Sequence, residues 1–308
     1  MLLKKRYQVG KKSFNDKVKI LICCHKEYQL PNHYIFVPIQ VGAAISDNDL
    51  GMLRDDSVNG QNCDNISSKN KTYCELTAMY WAWKNIKSIY PDLQYIGLNH
   101  YRRYFAFHKQ NAIKELFFYP EKQIADYKPD LSKIESNLNS GLTIIGKKQC
   151  LPLSLGVCYS ITHVSEDIYT LKQVVEDLYP DYKEAFMSII FNNNMFLRYN
   201  MFVMEWNKYE AYCQWLFSII EETERRINID SYNDYQKRIF GFMAERLFYV
   251  WIAKNNVSTT EYPVIQYDNN LKNFSTFQIL GRNILFKAFY KIIQKSGYKF
   301  DYRLSTTY

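Results

Sequence analysis

The chain has 308 residues, 47% hydrophobic and 23% charged, with 11 Gly and 8 Pro; it is long enough to bury a sizeable core and is not collagen-like, low-complexity or intrinsically disordered. Its net charge of +8 is unevenly placed: residues 1–19 and 271–308 each carry +6, which leaves −4 for residues 20–270. A body that bound nucleic acid would carry the positive stripe itself, and no RNP-like or OB pattern supports an RNA-binding reading, so no nucleic-acid partner is expected.

Residues 1–17 form a basic N-terminal segment, in which Lys4-Lys5-Arg6 leads into polar residues rather than the apolar core of a secretory signal. No later stretch approaches the roughly 20 apolar residues of a membrane span, so a cytoplasmic location is expected. Val18 to Cys24 reads as a buried strand ending in His25-Lys26-Glu27, and Tyr34 to Val41 as a second apolar run. A polar loop follows from Ser46 through Asn70, where Ser68 or Asn70 is placed to cap a helix. That helix is expected over 73–89, because Leu76, Met79, Tyr80, Trp83 and Ile86 recur at helical spacing. Pro91-Asp92 ends it, and Leu93 to Leu98 is the next strand, with Asn99-His100-Tyr101-Arg102-Arg103-Tyr104 at its carboxyl end. Leu142 to Gly146 is another strand, and helices are expected over 170–190, 205–227 and 232–253. The segment 271–308 is basic and amphipathic, with Ile279, Leu280, Ile284, Leu285, Ala288, Phe289, Ile292 and Ile293 set among Arg282, Lys287, Lys291 and Lys295. Such a helix docks its stripe on the core, lies on an anionic membrane, or meets a partner protein; peripheral contact with the inner face of the cell membrane is one expectation.

The seven cysteines are odd in number with no CxxC pair, which points to reduced, mostly buried thiols, and the five histidines form no HxxxH or HExxH motif. Dinucleotide, P-loop and serine-hydrolase motifs are also absent. The informative stretch is the strand that ends in Asn99, His100, Arg102 and Arg103. Ligands bind beyond the carboxyl ends of strands in an open α/β sheet, and guanidinium forks match phosphate oxygens bidentately. Glu75 at the start of the 73–89 helix, and Asp55-Asp56 in the loop before it, are carboxylates suited to a ribose hydroxyl or a divalent metal, unless Glu75 only stabilises a helix end and the pair lies in a solvated turn. His25 and Lys26, just past the first strand, are further binding candidates. Trp81 and Trp83 read as core.

These segments carry a resemblance. Ile20-Leu21-Ile22-Cys23-Cys24-His25-Lys26, Asp64-Asn65-Ile66-Ser67-Ser68-Lys69-Asn70, Cys74 through Asn85, Gly97 through Phe105, Tyr199 through Met204, Tyr212 through Phe217, and Gly241 through Leu247 occur in order over about residues 18–252. Together they resemble a bacterial family of the DUF4422 type, long labelled as of unknown function, found with capsule, exopolysaccharide and O-antigen synthesis and similar to galactofuranosyltransferases. The resemblance implies an α/β, GT-A-like Rossmann-type sheet with a mainly helical C-terminal half. The glycosyltransferase domain would span 18–270, with a nucleotide-sugar-binding part over 18–150 and a helical acceptor-side part over 151–270. It further implies a UDP-sugar donor, with galactose or galactofuranose transferred to an oligosaccharide or lipid-linked glycan acceptor. The Asp-x-Asp metal motif of such folds is replaced here by Asn99-His100-Tyr101. Arg102 and Arg103 would then supply the charge at the diphosphate, with His100 or Asp55-Asp56 left to hold a Mn²⁺ or Mg²⁺ ion.

For an acceptor-side base the candidates are His163, Asp167 and Glu245, with Glu205 a further carboxylate in the same half. Arg246 pairs with Glu245 or contacts substrate, and Asn200 is suited to sugar hydroxyls. The alternative class is a non-catalytic nucleotide-sugar-binding or scaffold subunit of a polysaccharide assembly complex, which the missing Asp-x-Asp motif favours.

Overall fold

Val18–Cys24 (β1) is apolar at nearly every position because both of its faces are covered. Leu21 and Cys23 enter one core cluster, and Ile20, Ile22 and Cys24 the other, as the two-residue period of a strand requires. The computed structural model describes residues 14–297 except 111. The basic residues Lys4, Lys5, Arg6, Lys11 and Lys12, and residues 298–308, lie outside the described residues.

β1 pairs in parallel with Phe36–Gln40 (β2), which pairs in parallel with Leu53–Arg54 (β3). On its other side β1 pairs in parallel with Tyr95–His100 (β4), which turns back at His100 into Arg103–Phe105 (β5). Leu116–Tyr119 (β6), Thr143–Gly146 (β7), Phe202–Glu205 (β8), Thr259–Tyr262 (β9) and Val264–Tyr267 (β10) complete a ten-stranded sheet. Its main path runs β9-β7-β8-β4-β1-β2-β3, with β8 antiparallel to both of its neighbours and the other pairs parallel. β10 extends the sheet sideways, antiparallel to β5 and parallel to β6. At the crowded centre stands Gly97, where a Cβ would lie 2.9 Å from both Ile20 Cγ1 and the Phe202 carbonyl oxygen. Only glycine lets β8 approach there.

Seven longer helices cover the sheet among the described residues: Leu76–Ile89 (α1), Leu131–Asn139 (α2), Leu155–Thr162 (α3), Ser165–Leu178 (α4), Trp206–Arg226 (α5), Ile239–Lys254 (α6) and Thr276–Lys295 (α7). α1, α3, α4, α5 and α6 pack on the face that holds Leu21, whereas α2 packs Ile134 and Leu138 on the opposite, tyrosine-rich face. The α/β class, the mostly parallel central sheet and the helical C-terminal half agree with expectation.

Several boundaries differ, for identifiable reasons. α1 begins at Leu76 rather than at residue 73, because Cys74 takes φ 53° and breaks the chain after a single turn over Asn70–Tyr73. The helix expected over 170–190 ends at Leu178, since Pro180 has no N–H to continue the ladder, and a short helical turn and a π-turn follow to Phe191. α6 starts at Ile239, seven residues later than expected. α2, with Asp130 as its N-cap, and α3, capped by Ser154, were not expected, nor was the central antiparallel strand β8. No helix among the described residues is long and apolar enough to cross a membrane.

Candidate active site

The parallel strands β1 and β4 end side by side, with Cys23 opposite His100. The strained turn at Cys74, with φ 53° and ψ −130°, faces these ends and drops Glu75 into the interior at 7% exposure. Such backbone costs on the order of 1–3 kcal/mol and persists only where packing over-determines it. Gly241 at the start of α6 supplies that packing, since even a Cβ there would lie 3.2 Å from the Cys74 Cβ and Sγ.

Glu75 is the buried anchor of the site. Its Oε1 accepts a hydrogen bond from Asn200 Nδ2 at 2.7 Å, and His100 Nε2 lies 3.7 Å away, an electrostatic contact rather than a hydrogen bond. Burial raises the Glu75 carboxyl, but the His100 imidazole, the Asn200 amide and its own backbone N–H outweigh that and hold it at about 2. Asn99 Oδ1, His100 Nε2 and Asn200 Oδ1 are buried beside this network without a protein hydrogen-bond partner.

Around Glu75 opens a cavity of about 740 Å³, lined by Lys71, Arg102, Arg103, Lys237 and Arg238 together with His25 and His100. Among the described residues the lining sets two carboxylates, Glu75 and Asp234, against these five cationic side chains, and Asp268 pairs with Arg102 from outside it. Arg103 is pre-oriented: its Nε donates to Gln266 Oε1 at 3.1 Å, and its guanidinium lies 4.2 Å from the ring centre of Tyr199, itself held at φ 67°. Arg102 Nη1 reaches Asp268 at 3.4 Å, and Arg238 Nε donates to the Cys74 sulfur at 3.4 Å. Burial, then the neighbouring Lys26, His100, Arg102 and Arg238 side chains, hold His25 below the usual imidazole value. The field in the cavity is that of an anion-binding site.

A second cavity of about 300 Å³ lies beyond Tyr199, between α3 and the first turns of α6. His163, Arg198, Tyr199, Glu245 and Arg246 line it. Among the described residues that line it, Glu245 is the one carboxylate, 20% exposed, with Arg246 Nη1 at 3.7 Å. Burial raises this carboxyl and Arg246 opposes the rise, while Glu75 and Arg103 from the first cavity and Arg198 from the second also act on it. Arg246 sits over the rings of Tyr159 and Phe196, at 4.9 Å from each, and donates to the Phe242 carbonyl at 2.8 Å. His163 Nδ1 lies 3.2 Å from Gln236 Oε1, its ring is stacked on Phe242, and burial followed by Arg246 lowers it to about 4.

The sequence-derived candidates thus divide. His25, Glu75, His100, Arg102 and Arg103 share the first cavity with Asn99 and Asn200 behind them, and His163, Glu245 and Arg246 share the second. Asp167 lies behind the second cavity, 2% exposed, accepting from the Tyr232 hydroxyl at 2.7 Å, so it is not a solvent-reachable base. Glu205 sits at the head of α5 and pairs with Lys208 at 3.2 Å. Lys26 lies over the Tyr28 and Tyr101 rings outside the cavity lining. Asp55 and Asp56 are fasteners of their loop rather than ligands. Asp55 accepts from the backbone N–H groups of Gly42 and Ala43 at 2.8 and 3.0 Å and from the Ser67 hydroxyl, and Asp56 takes both Nε and Nη2 of Arg54. Among the described residues no group of three or more His, Cys, Asp or Glu side chains gathers in a way that would hold a metal ion by protein ligands alone. Lys71, Lys237, Arg238, Arg198 and Tyr199 were not anticipated from sequence.

Residues 19–256 match a family described as a domain of unknown function, DUF4422. The chain belongs to the DUF4422 family. Both cavities lie wholly inside the matched span, and α7 lies beyond it. No curated protein matches the chain. Among solved structures, the apo form of WbbM, described as a bifunctional glycosyltransferase, is similar with a TM-score of 0.68 and 30% identity. The match covers 82% of this chain and 46% of WbbM, so this DUF4422 chain spans less than half of that protein.

Proposed function

We propose that this chain is a glycosyltransferase that moves a sugar from a nucleotide diphosphate donor to a glycan or lipid-linked acceptor hydroxyl. The observation that carries this reading is the strongly cationic cavity at the carboxyl ends of β1 and β4, adjoined through the Arg103–Tyr199 contact by a second cavity lined by the carboxylate of Glu245. The likeness to a bifunctional glycosyltransferase supports it. In this reading the diphosphate lies between Arg102, Arg103 and Arg238, whose guanidiniums stabilise the charge that develops as the sugar C1–O bond to phosphate breaks. The acceptor enters from the second cavity. Glu245 takes the proton of its hydroxyl, the hydroxyl oxygen bonds to C1, and the electron pair of the broken bond leaves on the diphosphate. A carboxyl raised by burial is a better base for that step than one in water. Glu75 holds His100 and Asn200 in place beneath the donor rather than reacting. A UDP-linked galactose or galactofuranose, used in capsule, exopolysaccharide or O-antigen synthesis in a GT-A-like manner, is the donor we propose.

UDP release from UDP-galactose and UDP-galactofuranose, with galactan oligosaccharides as acceptors, tests the reading. Glu245→Gln should lower kcat by roughly 10²–10⁴-fold and leave UDP binding intact. A Glu245→Gln enzyme with unchanged kcat would remove Glu245 from the chemistry. Wild-type protein that binds UDP yet neither transfers nor hydrolyses the donor would support a non-catalytic nucleotide-sugar-binding or scaffold subunit instead.

A further inference from the structure

Among the described residues, α7 is clamped to the body along one side. Ile279 is 4% exposed, and Arg282 Nη2 donates to Glu115 Oε1 at 2.7 Å. A helix on a protein surface ordinarily turns polar residues outward on the side opposite such contacts. α7 does the reverse: Phe277 is 85% exposed, Ile284 66%, Leu285 68% and Ile292 64%. At the roughly 100° per residue of an α-helix these four fall on one outward face with Ala288. Lys287 and Lys291 border that face on one side, Lys295 falls on it at its C-terminal end, and Thr276–Lys295 contains no acidic residue. The loop leading into the helix adds Leu271 and Phe274, 45% and 58% exposed.

We propose that the outward face of α7 seats the protein on an anionic lipid surface. Contiguous exposed apolar side chains mark an interaction face. The lysines beside and at the end of this face select the occupant, since a leaflet with negatively charged headgroups meets both requirements: it takes the apolar row into the acyl boundary while the long lysine stems reach up to the phosphates. An acidic protein surface would satisfy the lysines and leave the apolar row uncovered. The placement also bears on the acceptor. A small groove of about 120 Å³ under α7 is lined by Phe118, Phe274 and Ile279, and it shares Gln149, Arg198 and Tyr199 with the second cavity. On the transferase reading above, an acceptor carried on a lipid would approach the second cavity along this side. The docking itself stands without that reading.

Vesicle flotation with the full chain tests it, comparing phosphatidylcholine vesicles with vesicles that also contain phosphatidylglycerol. Wild type should float with the anionic vesicles, less so as salt rises. Ile284→Ser/Leu285→Ser/Ile292→Ser, and separately Lys287→Glu/Lys291→Glu/Lys295→Glu, should each weaken binding by roughly tenfold or more. Both sets lie on exposed positions, so thermal unfolding should match wild type, and UDP binding provides a separate check on the body. Wild type that stays unbound with both vesicle types overturns the proposal, as does anionic binding that the α7 variants leave unchanged. A dimer in light scattering that the serine variant converts to monomer would assign the face to a second copy and overturn it as well.

Discussion

Asp167, behind the second cavity, is the residue whose titration should be most visible in the stability of the fold. Burial pushes its carboxyl from the ordinary 3.8 up to about 7, against the hydrogen bond from Tyr232. A carboxyl raised on folding keeps its proton longer in the folded state, so stability falls as pH rises from about 4 through about 7. Asp167→Asn keeps an acceptor for Tyr232 and removes the titration. Between about pH 5 and pH 8, wild type should lose on the order of 1–3 kcal/mol relative to this variant in denaturant unfolding. Parallel pH profiles for the two proteins would show that Asp167 is ionised in the fold at its ordinary value. His163 works in the opposite sense: lowered from 6.5 to about 4, it withdraws stability as pH falls through that window. The strand-end cluster His100, Arg102 and Arg103 was legible in the sequence because an imidazole and two guanidiniums after a short apolar strand need only the local rule for where α/β ligands bind. Arg238 was not, because it reaches the site through Cys74, 164 residues away, at a turn whose positive φ no residue type announces. Asp55 and Asp56 misled for a related reason, since a loop that spends its carboxylates on its own backbone reads like one that offers them to a ligand.

Among the elements, β4 does most to place the site, since its carboxyl end delivers Asn99 and His100 and its turn delivers Arg102 and Arg103. It stands between β1 and β8 only because Gly97 leaves their backbones room. Gly97→Ala should therefore destabilise the protein by about 1–3 kcal/mol, read as a lower urea midpoint with an unchanged m-value. An alanine variant as stable as wild type would mean that β8 gives way freely. The long periodic helices α1 and α5 were readable because their apolar spacing runs over three turns or more. β8 was not, because four apolar residues between a buried Asn200 and the start of α5 look alike as strand and as helix entry. Pro180 inside the 170–190 stretch did carry the stop signal, and the apolar spacing on either side of it obscured that signal.

At the scale of the whole molecule, charge and cavity agree. The body between residues 20 and 270 is net −4, yet the first cavity gathers five cations against two carboxylates, so the field there comes from placement rather than composition. The two cavities adjoin through the contact between Arg103 and Tyr199, and α7 presents its apolar row on the exterior. The central claim is that the first cavity holds the diphosphate of a nucleotide. Calorimetric titration of UDP into wild type and into Arg102→Ala/Arg103→Ala tests it most directly, with GDP, CDP and ADP as controls. Wild type should show saturable, UDP-selective binding that the double substitution weakens by roughly 100-fold or more, since each charge-assisted hydrogen bond contributes about 1.5–3 kcal/mol. UDP affinity unchanged in a folded double variant, or no nucleotide binding by wild type, would contradict it.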